Sequence, residues 1–368
     1  MSGATTMADE PTAERSVARR ILPKLGLSLL LGGLFAWIAA RGGVPLIPSR
    51  EAFAQVHWWT VPVYLLTLLA THWFRATRWR FLIAPIRRLP LEEVVALNWI
   101  GFFAIFALPL RLGEMARPAL TKLRHGISVS AGFGTIAVER VVDGLLASLC
   151  VAWALFALPR LPTDDPVARA LPFYGYLALA VFGGAFIALA VFLWKRAWAV
   201  RTTERLVGIV STRLATLLAE KVDQVAEGIR SLGSAKLTLG FLAETLVYWG
   251  TNAAGMWLLA YGCGIPATIG HGVAIMGILA IGILLPTGPG LFGNFQLAIS
   301  TGLKLYFAAE LVEQQGAVYI FLMYVMQSVF ITLAGVIPLY AMDIRLKDLL
   351  GADQIKQGLS APPPARQE

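Results

Sequence analysis

Apolar residues run through this chain in long blocks separated by short polar stretches, not at the alternating spacings of a soluble helix or strand. Blocks at Leu25–Ala40, Trp58–Phe74, Ser130–Leu158, Pro172–Trp194, Leu237–Tyr261 and Ala317–Met342 reach or approach the roughly 20 residues that cross a hydrocarbon core. Two further blocks are interrupted. Val94–Leu110 runs into Pro109 and Gly113 and resumes through Met115–Lys122. Gly272–Leu285 stops at Pro286-Thr-Gly-Pro-Gly-Leu-Phe-Gly293 and resumes through Phe295–Phe307, and so dense a Pro/Gly run excludes one continuous helix. The expectation is an all-α polytopic membrane protein with about six full spans and two re-entrant broken hairpins; the alternative count is eight spans.

Composition agrees with that class. The 368 residues are 57% hydrophobic and 14% charged, with a mean hydropathy of +0.68, which excludes an ordinary soluble domain. A net charge of +9 would suggest nucleic acid in a soluble protein. Here the basic residues flank apolar blocks, where they set topology and meet anionic headgroups, so no nucleic-acid partner is expected. Cys150 and Cys263 lie in or at the end of apolar blocks, and the four histidines are scattered. No metal site and no cofactor are expected.

Charge placement favours the hairpins. If Val94–Leu110 crossed the membrane, the basic stretches 111–125 and 195–236 would both lie outside, against the positive-inside rule. A re-entrant segment returns both to the cytoplasm and leaves Asp164 and Asp165 in the outer loop 159–171. Both termini are then cytoplasmic, and the protein belongs in the cytoplasmic (inner) membrane. Arg15, Arg19, Arg20 and Lys24 precede the first block, which reads as an uncleaved span. Residues 1–14 and 346–368 read as disordered tails. Halves at 15–198 and 237–345 are joined by an amphipathic cytoplasmic segment, 199–236, with Leu206, Ile209, Val210, Leu214, Leu217 and Leu218 at helical spacing. That segment is a connector, a membrane-surface helix or a contact for a partner protein. Broken segments in corresponding positions of two halves, entering from opposite faces, are the pattern of inverted-repeat transporters.

Candidate chemistry gathers at the first break. Arg111, Glu114 and Arg117 recur at intervals of three, and Glu139, Arg140 and Asp143 follow in the next block. Ionisable groups in a membrane segment cost a few kcal/mol or more each, so they face protein or a wet cavity and mark a functional path. The arginines suit a lipid phosphate, and the carboxylates could hold them, meet an amine or carry a proton. The alternative is a balanced ion network that only pins the fold. Pro118 disfavours helix at Arg117 and weakens the shared-face argument. Arg75, Arg78 and Trp79, at the basic end of the second span, read as interfacial groups that signal topology and anchor phosphates. Pro109, Gly113, Pro286, Gly288, Pro289, Gly290, Gly293 and Gln296 form the breaks, either pliable walls of a cavity or tight turns between ordinary spans.

These residues also carry a resemblance. Arg-Leu-Gly-Glu-Met-Ala-Arg117, Ser128 or Ser130, and Glu-Arg-Val-Val-Asp143 resemble the central motif of the lysylphosphatidylglycerol synthase transmembrane family, whose members are flippase-like. Arg-Trp-Arg80 is similar to that family's arginine–tryptophan element, and Pro286-Thr-Gly-Pro-Gly290 with Gly293 to its late Pro-Gly motif, over about residues 20 to 345. The resemblance implies a flippase-like transmembrane domain at 15–345. Two departures stand out: Leu291 replaces the motif's second glycine and Gln296 its glutamate, so no carboxylate stands at that position. No soluble aminoacyl-transfer domain is expected, since the chain ends soon after the last apolar block.

The expected function is therefore a lipid translocase, not an enzyme, with a phospholipid or lipid-linked headgroup as substrate and a lipid-synthesising protein as a candidate partner. Oligomeric state is left open. No Walker-type loop is present, so movement is downhill, proton-coupled or partner-driven. Two other classes stay open: a lipid-modifying enzyme such as a glycosyltransferase using Glu51 or Asp164 and Asp165, and a non-transporting scaffold that binds through residues 200–232.

Overall fold

A computed structural model of the chain describes residues 47–162, 164–194, 234–285 and 288–344, with the isolated positions 30, 33, 34 and 37. The chain forms helices α1 (Arg50–Ala54), α2 (Thr60–Thr77), α3 (Trp79–Ile83), α4 (Leu91–Ala107), α5 (Ala116–His125), α6 (Val129–Ala157) and α7 (Pro166–Trp194). The second half adds α8 (Ala235–Gly262), α9 (Ile269–Gly282), α10 (Asn294–Tyr306), the short turn α11 (Ala309–Leu311) and α12 (Ala317–Ala341). No strand occurs among the described residues. Each apolar block after the first has its helix, within a few residues of the expected ends. The first block, apart from four helical positions, lies outside the described residues, as do both tails and residues 199–233 of the amphipathic segment.

By length and composition, Val129–Ala157, Pro166–Val191 and Ala309–Ala341 are the helices able to cross a membrane among the described residues. The interrupted blocks behave differently. Helices α5, α9 and α10 have 10, 14 and 13 residues. At 1.5 Å per residue these rise about 15, 21 and 20 Å, short of a hydrocarbon core of about 30 Å. They double back instead. In the first hairpin Glu93 of α4 meets Arg124 of α5 at 3.1 Å and His125 at 3.2 Å. Near the tip, a Cβ on Gly113 would sit 2.0 Å from the carbonyl carbon of Ala104. Leu108 is extended, Pro109 opens a 3-10 segment ending at Met115, and Gly126 ends α5 in the left-handed conformation at φ 69°. In the second hairpin the Asn294 amide donates to the Gly282 carbonyl at 2.6 Å, and a Cβ on Gly282 would lie 2.6 Å from that of Ala298.

The hairpins enter from opposite ends. Helix α6 begins just after α5, capped by Ser128, whose hydroxyl accepts from Ala131 N at 3.1 Å. It finishes against the second hairpin's base, with Leu158 beside Gly270 and Leu161 N donating to Leu305 O at 2.9 Å. The tips meet in mid-bundle, where Phe106 lies 3.5 Å from the Cβ position of Gly290. Helix α2 packs along α8, α4 on α12 and α9 on α6, while α5 touches α6 and α10 touches α12. Exchanging α2 with α8, α4 with α9, α5 with α10 and α6 with α12 leaves this scheme unchanged. The halves thus repeat one arrangement in packing, although their sequences show no visible identity.

Gly113 is required by a close approach and not by its own dihedrals, because the atoms it meets are backbone and cannot turn aside. Gly113→Ala is expected to cost about 3 kcal/mol or more, above the usual range for overpacking against side chains. The check is thermal unfolding of the purified protein in detergent, with Gly183→Ala, a site with open space around it, leaving the midpoint within a degree or two, the scale of a surface change.

Candidate functional site

Helix α2 carries Thr71, His72 and Arg75, with Arg78 as its C-cap, and Arg75 follows Thr71 by four residues and His72 by three, so they share one face. Helix α6 brings Glu139, Arg140 and Asp143 towards it. Arg78 is buried and grips Asp143 with two parallel bonds, Nη1 to Oδ1 at 2.7 Å and Nη2 to Oδ2 at 2.6 Å. Arg78 Nη1 also donates to Thr245 Oγ1 at 3.2 Å, and Trp249 Nε1 donates to Asp143 Oδ1 at 3.3 Å. The guanidinium lies 4.8 Å from the centre of the Tyr248 ring. A second network lies beside the first hairpin. Buried Arg117 donates to Glu139 and to Asn98 Oδ1, over the Trp79 ring at 5.0 Å. A third joins the halves: Glu244 of α8 accepts from Arg80 and, at 2.6 Å, from Thr77 Oγ1.

Between these networks and the hairpin tips lies a cavity of about 140 Å³ (the volume open to water centres). That holds several waters, since one needs about 10–15 Å³ on this measure. Its polar wall carries Thr71, His72, Arg75, Arg140, Asp143, Asn252 and Gln327; Phe102, Phe106, Leu284 and Leu291 close the side formed by the tips. Arg75 stacks over Phe102 at 4.3 Å, and the Nε atoms of Arg75 and Arg140 are buried with no hydrogen-bond partner. A smaller crevice beside it is lined by Glu114, Arg117 and Arg140.

The expected site residues therefore separate. Arg140 and Asp143 line the cavity; Arg117 and Glu139 pair with each other, with Glu139 Oε1 left without a hydrogen-bond partner; Glu114 and Arg117 line the crevice; the Arg111 side chain lies outside the described residues. Pro118 does not displace Arg117, because it falls in the first turn of α5, where its missing N–H is tolerated. Arg78 and Trp79 correct the interfacial expectation. Both are about 1% exposed, Trp79 Nε1 donates to Thr135 Oγ1 at 3.0 Å, and neither can reach a headgroup at the surface. Arg75, placed in the same interfacial set, faces the cavity.

In the second break Pro286 lies outside the described residues. Gly288 is extended, Pro289 opens a 3-10 turn, and Gly290 and Gly293 have φ of 76° and 82°. Gln296 does not line the cavity: its Oε1 accepts from Gly293 N at 2.8 Å and caps α10. Spacing arguments missed His72, Asn252, Gln327 and Glu244. Each is a polar residue inside an apolar block, the signal that could have found them.

The model of the lysylphosphatidylglycerol synthase TM region matches residues 23–335. The chain belongs to that family. With its apolar helices, membership makes it a multi-pass membrane protein with a lipid-related role. No curated protein and no solved structure matches the chain. Within the motif residues, Arg117 pairs with Glu139, while Arg140 lines the cavity.

Asp165, offered for a lipid-modifying enzyme, is already engaged. It caps α7 through Val167 N and Ala168 N at 2.9 and 3.2 Å and accepts from Lys304 Nζ at 2.6 Å. Burial pushes its carboxyl up, but the Lys304 ammonium and the backbone donors outweigh this and hold it below the usual range.

A buried pair that loses one member leaves an uncompensated charge, at a cost of about 3–5 kcal/mol. Glu139→Ala is expected to lower the melting midpoint accordingly, whereas Arg140→Ala, which breaks no pair, leaves it near the parent. Equal losses in a detergent melt would erase the distinction between pins and cavity groups.

Proposed function

We propose that the protein is a lipid translocase of the cytoplasmic membrane, with both termini in the cytoplasm, that passes a lipid headgroup through the cavity between the hairpin tips. The observation that supports it best is the meeting of two hairpins from opposite ends at a cavity whose Arg75 and Arg140 make no hydrogen bond or ion pair among the described residues. A headgroup at that depth needs charge compensation away from water, and unpaired guanidiniums supply it. Short helices ending at mid-depth can shift without breaking a continuous span, which suits opening to one side and then the other. The tails of the lipid stay in the surrounding bilayer. Of the acids the enzyme reading would use, Asp165 is held by Lys304 and its helix cap.

The test is leaflet exchange of fluorescent phospholipids in vesicles holding the purified full chain. Arg140→Ala is expected to slow exchange about tenfold or more, equivalent to about 1.4 kcal/mol in the barrier, with the fold retained. Phe156→Ala, at an 89% exposed position of α6, is expected to match the parent. Exchange no faster than in protein-free vesicles, or unaffected by Arg140→Ala, would remove the basis of this reading.

A further inference from the structure

The central cavity carries an unbalanced charge. Three guanidiniums, Arg75, Arg78 and Arg140, act on one carboxylate, Asp143, so three positive charges against one negative leave two positive. Arg78 takes Asp143 in its two-pronged pair, which places the surplus on Arg75 and Arg140. Among the described residues neither makes a hydrogen bond or an ion pair, and the two repel each other. Neighbouring charges do not cancel them. Glu139, Glu244 and Glu114 lie off the cavity wall: Glu139 pairs with Arg117 through one oxygen while its Oε1 stays buried without a hydrogen-bond partner, Glu244 pairs with Arg80, and Glu114 lines the smaller crevice. The other polar side chains named on the wall, Thr71, His72, Asn252 and Gln327, include no carboxylate. An ammonium entering here would meet two guanidiniums, and the carboxylate on the described wall, Asp143, has both oxygens held by Arg78.

We infer that the headgroup bound in this cavity carries two negative charges on phosphoryl oxygens, as a phosphate monoester or a diphosphate, and no free amine. A phosphodiester brings one charge and leaves one arginine uncompensated. A monoester brings nearly two at neutral pH, and a diphosphate brings at least two, each phosphoryl group offering oxygens to a guanidinium fork. Asn252 and Gln327 suit hydroxyl or ester oxygens beyond the phosphate. The inference rests on the translocase reading for the lipid tail, but the charge follows from the cavity alone.

The test is calorimetric binding to the purified full chain in detergent at about pH 7.5, where a monoester is almost fully dianionic. The probes are dihexanoyl phosphatidic acid, geranyl diphosphate, dihexanoyl phosphatidylglycerol and dihexanoyl phosphatidylethanolamine. One of the first two is expected to bind at least about tenfold more tightly than either diester, as one charged hydrogen-bonded contact would supply. Arg75→Ala and Arg140→Ala are each expected to weaken that probe by about tenfold or more, with Arg75→Lys and Arg140→Lys intermediate and folded. Lowering the pH to about 5 weakens a monoester, which loses its second charge near pH 6, but leaves geranyl diphosphate with two. A diester binding as tightly as the dianions, or dianion binding that survives both lysine and alanine variants, would overturn the inference. Selective dianion binding without leaflet exchange of the same lipid class would sink translocation and keep this site. Exchange indifferent to headgroup charge would do the reverse.

Discussion

A guanidinium inside a membrane protein keeps its charge, so it must find a carboxylate, an aromatic face or a ligand. Most of this architecture follows from how that demand is met. Arg117 meets it with Glu139 and Asn98, which ties the first hairpin to α6. Arg78 meets it with Asp143, Thr245 and the Tyr248 ring, which ties α2 to α6 and α8. Arg80 meets it with Glu244 across the two halves. Arg75 has only the face of Phe102, and Arg140 has no bonded partner among the described residues. One residue type thus does two jobs, and the difference lies in what the neighbouring helices offer.

The class of fold was legible because the blocks are long and the breaks are made of Pro and Gly. Pro109, Gly113 and the run to Gly293 lie where the chain turns back, and the helix ends follow within a few residues. The pairing of charges was not legible. Steps of three among Arg111, Glu114 and Arg117 suggest neighbours on one helix, yet Arg117 pairs with Glu139 and Arg78 with Asp143, 22 and 65 residues away. Such partners are chosen by tertiary packing, which spacing within one segment does not encode. The same cause hid Arg78 and Trp79. A basic, Trp-bearing helix end resembles a membrane interface in sequence, but here α3 turns inward and buries it under Arg117 and against α8.

The two departures from the family's late motif acquire physical meaning at the second break. Leu291 adopts φ 56°, a left-handed conformation that glycine takes without strain and leucine does not. Its side chain lines the cavity, so the strain sits beside the proposed headgroup path. Gln296 caps the following helix through its oxygen, a bond that a glutamate at this place could also make. At that position the change from acid to amide preserves the cap and removes a negative charge.

The most direct measurement is a high-resolution electron cryo-microscopy map of the protein in nanodiscs of its native lipids. The account predicts headgroup density in the central cavity in contact with both Arg75 and Arg140, while the Arg117–Glu139 and Arg78–Asp143 pairs stay closed. A cavity holding water alone, with Arg75 and Arg140 turned onto carboxylates of the protein, would contradict it.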